Sequence, residues 1–237
     1  MIKPKIRVLQ IHVVEHCNFK CPKCSHSSNI AKESFNDANY FLDALKKLHE
    51  YGDIEALHLM GGEPFLHPNF DKFIEIIKKN PFKVPITICS NGFWLKNWRN
   101  YINILKNVQC TVITLYPQIN MSKEEINFFV KEIEKENISL NVSVMGRWLD
   151  LNFIDEAIKR TYCKFCPQLM KDYKLAKCQV IGYYDKNKTS KTFEKERFKG
   201  IYNIIGGNKE SLEIWNNNLP YCCDYCLFKR EIEMPNG

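Results

Sequence analysis

Arginine is scarce in this chain. Lysine supplies nearly all of the 34 basic residues, and arginine occurs only at Arg7, Arg99, Arg147, Arg160, Arg197 and Arg230. Arginine is the usual reader of phosphates and base edges. A net charge of +7 carried by lysine is therefore weak support for a nucleic-acid partner, and none is expected. No run of about 18 apolar residues occurs, so no membrane-spanning helix is expected. The stretch MIKPKIRVLQIHVVEHC lacks the uninterrupted apolar region and small-residue cleavage site of a signal peptide. It reads as the first strand of a cytoplasmic protein. Glycine and proline, 10 each in 237 residues, are too few for a collagen-like or low-complexity chain. With 45% hydrophobic and 26% charged residues, the chain has a globular balance and length for one medium domain with a small appendage.

Cysteine is the abundant exception. The eleven cysteines form a group at Cys17, Cys21 and Cys24, a sparse middle at Cys89 and Cys110, and a second group at Cys163, Cys166, Cys178, Cys222, Cys223 and Cys226. In a cytoplasmic chain disulfides are not the default, and grouped cysteines point to metal, cluster or thiol chemistry.

Between the groups, β-branched and helical periodicities alternate. Strands are expected at Ile6 to Val14, Ile54 to Met60, Val84 to Cys89, Val108 to Tyr116 and Ile138 to Met145. Apolar stripes predict helices through Phe41, Leu45 and Leu48; through Phe70, Phe73, Ile74 and Ile77; and from Trp94 to Leu105. A fourth follows the Ser122/Glu125 capping box, and Leu151, Ile154 and Ile158 suggest a fifth. Five βα units in series predict a parallel sheet with helices outside, either doubly wound or an open piece of a (β/α) barrel. After about residue 160 the alternation stops. A hairpin-like KDYKLAKC, a lysine-rich stretch from Lys186 to Lys199 and a short YNII strand then read as an irregular module held by something other than a large core. Cys89 and Cys110 read as buried small hydrophobes, and His12 and His58 as core or interface residues.

The first group has the spacing C-x3-C-x2-C on a loop that follows the first strand. Three soft thiolates so spaced bind an iron–sulfur cluster or zinc, with His16 or His26 as the nearest fourth ligand for zinc. Parallel sheets hold their active sites at the carboxyl ends of their strands, which favours a cluster. Gly61-Gly62-Glu63-Pro64 follows the second strand. Its glycines permit close backbone approach, its acid stands at a strand end, and its proline fixes the turn. Ser90-Asn91-Gly92 ends the third strand. Thr114, Tyr116 and Arg147 stand at further predicted strand ends facing the cavity.

C-x3-C-x2-C after strand one, with Gly-Gly-Glu-Pro after strand two, resembles the radical S-adenosylmethionine (SAM) enzymes. The resemblance covers residues 6 to 64 and, through the βα units, extends to about residue 160. It implies a partial (β/α)5-6 barrel and a 4Fe–4S cluster on Cys17, Cys21 and Cys24 with one open iron. It also implies reductive cleavage of SAM to a 5′-deoxyadenosyl radical that abstracts hydrogen from a substrate. By the same resemblance Gly61, Gly62, Glu63 and Pro64 bind the SAM methionine, and Ser90 and Asn91 contact its ribose or carboxylate. Arg147 pairs with a carboxylate of SAM or substrate, or is a surface charge. The residue before the third cysteine, often aromatic in the family, is Lys23 here.

The second group resembles the shortened, single-cluster auxiliary extensions of the same superfamily (SPASM/twitch-like). Cys166, Cys178, Cys223 and Cys226 are the chosen ligands of a second 4Fe–4S cluster, with Cys163 and Cys222 as alternates and structural zinc as the competing occupant. The division is then 1–160 for the barrel and 161–237 for the auxiliary module. The lysine-rich stretch is a solvated loop, or a lid with Phe193 and Phe198 as anchors.

The first strand begins near Ile6, so no leader-peptide-binding domain is expected ahead of it. That tilts the substrate toward a small molecule such as a sugar, or a peptide presented by a partner. A tyrosine or cysteine near the mouth is expected to return a hydrogen atom if the reaction is an epimerisation, Tyr116 being one candidate, and an electron donor such as flavodoxin or ferredoxin is implied. The competing class is a non-enzymatic zinc or electron-transfer protein, which would have no use for the Gly61–Pro64 loop.

Overall fold

The computed structural model describes residues 3–21, 24, 26, 28–29, 31–144, 147–149, 167–170, 173–176, 201–217 and 231–233. The chain opens with β1 (Lys5–Ile6) and β2 (Leu9–Val14). Then come α1 (Ala38–His49), β3 (Asp53–Ile54), β4 (Leu57–Gly61), α2 (Phe70–Ile77), β5 (Ile86–Ser90), α3 (Ile102–Lys106), β6 (Cys110–Leu115), α4 (Lys123–Glu134) and β7 (Leu140–Val144). β2, β4, β5, β6 and β7 lie side by side in that order, every pair parallel. A doubly wound sheet would reverse its strand order partway. Consecutive neighbours instead give the open (β/α)-barrel alternative, and the fold class is a partial parallel α/β barrel.

The two faces of this sheet are unlike. Leu57 and Leu59 on β4, Ile86 and Ile88 on β5, and Ile113 and Leu115 on β6 are buried. Their alternate neighbours His58, Met60, Thr87, Cys89, Val112 and Thr114 are half-buried. The first set meets Phe41, Leu45, Leu48, Phe73, Ile74 and Ile77 of α1 and α2 in one apolar core. Period-two alternation in strands against period-3.6 stripes in helices produces this division. Cys89 and Cys110 correct the expectation of buried hydrophobes, since both fall on the half-buried face.

The expected third helix is split. Leu95–Tyr101 forms 3₁₀ turns that break at Asn97 (φ −115°), and only Ile102–Lys106 is α-helical. The Trp94 indole N–H donates to the Ser90 hydroxyl at 2.8 Å, and the Trp94 ring lies 4.6 Å from that of Phe65. These contacts hold the entry to the helix against the end of β5. The capping box at Ser122 and Glu125 forms as expected at the start of α4.

Beyond the barrel units, β8 (Arg147–Leu149) pairs antiparallel with β12 (Glu231–Glu233). The expected hairpin is present as β9 (Gln168–Met170) and β10 (Lys174–Ala176), with Tyr173 at φ 56°. β9 adds to the sheet parallel to β2, and β11 (Ile201–Asn203), the expected YNII strand, pairs antiparallel with β10. α5 (Lys209–Asn217) follows. Leu169, Leu175, Tyr202, Ile204, Leu212 and Trp215 are buried in the same core as the barrel strands. Tyr51 donates its hydroxyl to the Ile204 carbonyl at 2.9 Å. The described parts of this region thus share the main core, contrary to the expectation that something else holds them. The stripe at Leu151, Ile154 and Ile158, the segment 186–199, and Cys163, Cys166, Cys178, Cys222, Cys223 and Cys226 lie outside the described residues.

Candidate active site at the cysteine loop

The loop carrying Cys17, Cys21 and Cys24 leaves the carboxyl end of β2. Its fit against β4 depends on two glycines. Gly61 has φ +132°, and a Cβ there would stand 2.1 Å from the Val14 carbonyl oxygen. A Cβ on Gly62 would stand 1.6 Å from the His16 carbonyl oxygen. Those carbonyls accept backbone N–H bonds from Gly62 (3.1 Å, Val14) and Glu63 (3.2 Å, His16). The close approach foreseen for these glycines is therefore made by the chain itself, which lays the start of the cysteine loop on the Gly61–Pro64 turn.

Glu63 is wholly buried. Its Oε1 accepts from the Phe65 N–H (3.2 Å) and the Ser90 hydroxyl (2.9 Å), and its Oε2 from the Asn91 N–H (2.7 Å). Burial pushes its carboxyl up to about 7, against the opposing pull of these hydrogen bonds. Pro64 begins a single 3₁₀ turn, Pro64–Leu66, capped by the same carboxylate. Ser90 is saturated, accepting from the Gly92 N–H (3.1 Å) and the Trp94 indole.

Asn91 joins this acid to the cysteines. Its amide Nδ2 donates to the Asn18 side-chain oxygen at 2.9 Å and lies 3.5 Å from the Cys17 sulfur. The Phe19 N–H also donates to Cys17 Sγ, at 3.3 Å, and the Gln118 amide reaches Cys21 Sγ at 3.9 Å. Burial raises the Cys17 thiol to about 11, with repulsion from Glu63 and Cys24 adding to it, and the Cys21 thiol to about 12, with repulsion from Cys24 and Cys17 adding to it. Such thiols keep their protons unless a cation replaces them. The Cys17 and Cys21 sulfurs accept N–H bonds, and three thiols carried on one loop are a donor set whose chemistry fits an iron–sulfur cluster. Cys17, Cys21 and Cys24 would hold it.

Tyr116 stands just past the end of β6. Burial, then the nearby Cys21, Cys24, Cys17 and Glu63, raises its phenol above the ordinary tyrosine range. Its ring meets that of Phe19 edge-on at 6.3 Å. The structure thus brings together Gly61, Gly62, Glu63, Pro64, Ser90, Asn91, Tyr116 and the three cysteines. Arg147 lies in β8, opposite Glu233 in register, rather than at the end of a barrel strand.

Sequence reasoning missed a polar network beneath the loop. His12 Nε2 lies 2.9 Å from His26 Nδ1, and His12 Nδ1 lies 3.2 Å from Glu15 Oε2. The Asn36 amide donates to Glu15 Oε1 (3.0 Å) and to the His12 carbonyl (2.8 Å). A histidine inside an otherwise apolar strand was the one available signal. The partners come from three separate segments and had no signal in spacing. His16, the other histidine considered for zinc, accepts from the Ser34 N–H at 3.2 Å.

A parallel sheet of consecutive strands with a thiol-bearing loop at its carboxyl end defines an open (β/α) barrel with a cluster-binding mouth. The profile of the Radical SAM superfamily matches residues 11–159, and the chain belongs to that superfamily of enzymes. Membership implies a 4Fe–4S cluster and SAM as cofactors. An S-adenosylmethionine-dependent nucleotide dehydratase of a Thermoplasmatales archaeon (strain ISO4-H5) is 34% identical over 88 residues, 37% of this chain and 30% of that protein. A GTP 3′,8-cyclase of Nautilia profundicola is 23% identical over 163 residues, 64% of this chain and 51% of that protein. The chain thus spans about half or less of the length of these curated relatives. Among solved structures, Streptococcus suis SuiB bound to precursor peptide SuiA aligns with TM-score 0.47 and 17% identity, over 60% of this chain and 33% of that one. BtrN in complex with AdoMet and 2-DOIA aligns with TM-score 0.43 and 16% identity, over 60% and 58%.

Proposed function

We propose that this protein cleaves SAM reductively and uses the resulting radical to abstract hydrogen from a small-molecule or peptide substrate. The observation that carries the reading is the Asn91 bridge. One residue at the end of β5 donates its backbone N–H to the buried Glu63 and aims its amide at the Cys17 sulfur. The Gly61–Pro64 turn, the Ser90-Asn91 strand end and the cysteine loop are thereby one unit.

When bound, the reduced cluster supplies the electron that splits SAM into methionine and a 5′-deoxyadenosyl radical. Cys17, Cys21 and Cys24 would hold that cluster, and three protein ligands would leave it able to bind SAM. Gly61, Gly62, Glu63 and Pro64 form the edge that receives the methionine group, with Ser90 and Asn91 at the nucleoside side and Arg147 at a carboxylate. Glu63 also holds β4 and β5 in register at the mouth. Tyr116, whose phenol burial raises and keeps protonated, would return a hydrogen atom to a substrate radical.

Cys166, Cys178, Cys223 and Cys226 hold a second 4Fe–4S cluster in an auxiliary module spanning 161–237, behind a barrel spanning 1–160. A flavodoxin or ferredoxin reduces the first cluster in the cytoplasm. The names of the relatives make nucleotides one substrate class to include in a screen.

The test is SAM turnover. Protein reconstituted anaerobically with iron and sulfide, reduced with dithionite and given SAM should form 5′-deoxyadenosine. The triple variant Cys17→Ala/Cys21→Ala/Cys24→Ala should form none. Fully iron-loaded wild type that forms none would return the chain to the metal-module class.

A further inference from the structure

The three cysteines of the loop are reached from different places in the barrel. Cys17 Sγ lies 3.5 Å from the Asn91 amide, just past the end of β5. Cys21 Sγ is reached at 3.9 Å by the Gln118 amide, past the end of β6. An anchor for Cys24 stands two residues further along the loop. His26 Nδ1 lies 2.9 Å from Nε2 of His12, in β2, and the two ring centroids are 4.9 Å apart. Two residues of chain span about 7 Å at most, so whatever holds His26 also confines Cys24.

His12 is itself held. Its Nδ1 lies 3.2 Å from Glu15 Oε2, and the Asn36 amide links Glu15 Oε1 (3.0 Å) to the His12 carbonyl (2.8 Å). Asn36 is buried and donates its backbone N–H to the Val13 carbonyl at 3.0 Å. The imidazole is thus braced on its Nδ1 side while its Nε2 side meets the loop. His12 is 3% exposed, and its neighbours Ile11, Val13 and Val14 are wholly buried. Burying an imidazole against a carboxylate costs hydration that an apolar side chain at the same strand position would not lose. Core packing therefore does not call for a ring nitrogen here. What the nitrogen gains is a hold on the loop at the end of the cysteine motif.

Resting on the reading of Cys17, Cys21 and Cys24 as cluster ligands, we infer that His12 is a positioning residue. Through His26 it sets where Cys24 stands and keeps the third thiolate on the cluster.

The experiment uses the full chain, reconstituted anaerobically with iron and sulfide. His12→Phe keeps a planar ring and removes both nitrogens. Its cluster should lose half its iron at a chelator concentration at least about tenfold below the one the wild type withstands. The loaded protein is also given a brief pulse of iodoacetamide and read by mass spectrometry. In His12→Phe, Cys24 should be alkylated while Cys17 and Cys21 stay protected. General loosening of the fold would expose the three thiols alike. His12→Gln is the rescue. A carboxamide both donates and accepts, so it can meet His26 Nδ1 whichever of the two carries the hydrogen. It should return both readouts close to wild type. Should His12→Phe misfold, His26→Phe, on the loop and outside the sheet, should release Cys24 in the same way.

The inference is overturned if the folded variant holds its iron like wild type, if the three thiols are alkylated together, or if His12→Gln behaves like His12→Phe. Wild type that takes up no cluster overturns the cluster reading and this inference with it. Wild type that takes up a cluster and matches the variants overturns this inference alone.

Discussion

The backbone N–H of Asn91 donates to the buried carboxylate of Glu63 at 2.7 Å. This bond ties the end of β5 to the turn after β4, and the same asparagine's side chain reaches the Cys17 sulfur. The mouth of the barrel is therefore cross-braced by a group that titrates.

That bond has a consequence for pH dependence. The Glu63 carboxyl sits at about 7 in the folded chain against an ordinary 4.5, chiefly because it is buried. A raised value means that the folded state holds its proton more tightly than the unfolded one. The resulting stability is complete below 4.5 and is lost as pH rises to about 7. The melting temperature of the metal-free chain should fall across that window, and Glu63→Gln should remove the slope. A wild-type melting profile with no such slope would count against a buried titrating carboxyl.

Glycine at position 62 is required by backbone, not by side-chain space. Gly62→Ala places a Cβ on the His16 carbonyl and 2.9 Å from the Cys17 nitrogen. It should cost about 3 kcal/mol or more and reduce the iron bound on reconstitution. Gly206→Ala is the contrast: its φ is +79° but nothing lies within 4 Å. It should cost about 1–2 kcal/mol from backbone strain and leave iron binding intact. Urea denaturation and iron analysis of the two variants check both expectations.

Asn91→Ala removes an N–H donor from the Cys17 sulfur. Hydrogen bonds to ligand sulfurs stabilise the more negative, reduced cluster. The variant's midpoint potential should therefore fall, measured by potentiometric titration followed by electron paramagnetic resonance. Equal potentials for the two proteins would mean that this amide does not act on the cluster.

Leu212 packs 2.7 Å from where a Cβ of Gly52 would lie and is fully buried in the barrel's core. Leu212→Ala should cost about 3 kcal/mol and lower the stability of the barrel strands along with α5. A single shifted transition in calorimetry is the expected result. Two separate transitions would make α5 part of an independently folding unit.

Much of the barrel was legible because its signals are local. Phe70, Phe73, Ile74 and Ile77 repeat at helical spacing, and the helix they predict forms over those residues. Ile86 to Ser90 alternates, and the strand forms with buried and half-buried residues in turn. The helix from Trp94 failed to form whole because Trp94 is held by Ser90 and Phe65, partners distant from the stripe that predicted it. A hairpin was readable at KDYKLAKC, but its first strand forms earlier, at Gln168–Met170, and its place beside β2 was not readable. Strand pairing between distant segments leaves no trace in periodicity.

The sequence by itself determined the chemistry at the mouth: three thiols at cluster spacing, an acid after two glycines, and a polar strand end. Side-chain type and short-range spacing suffice for that, because ligands on one loop stay close however the chain folds. Only the tertiary structure decided what each group is used for. It turned Gly61 and Gly62 toward the chain's own carbonyls, buried Glu63 under Asn91, and joined His12 to His26. It also aligned Gln168, Gln10, His58, Thr87 and Cys110 in one row. Those relationships depend on register between strands far apart in the chain, which is set by the packing of a shared core and not by any local pattern.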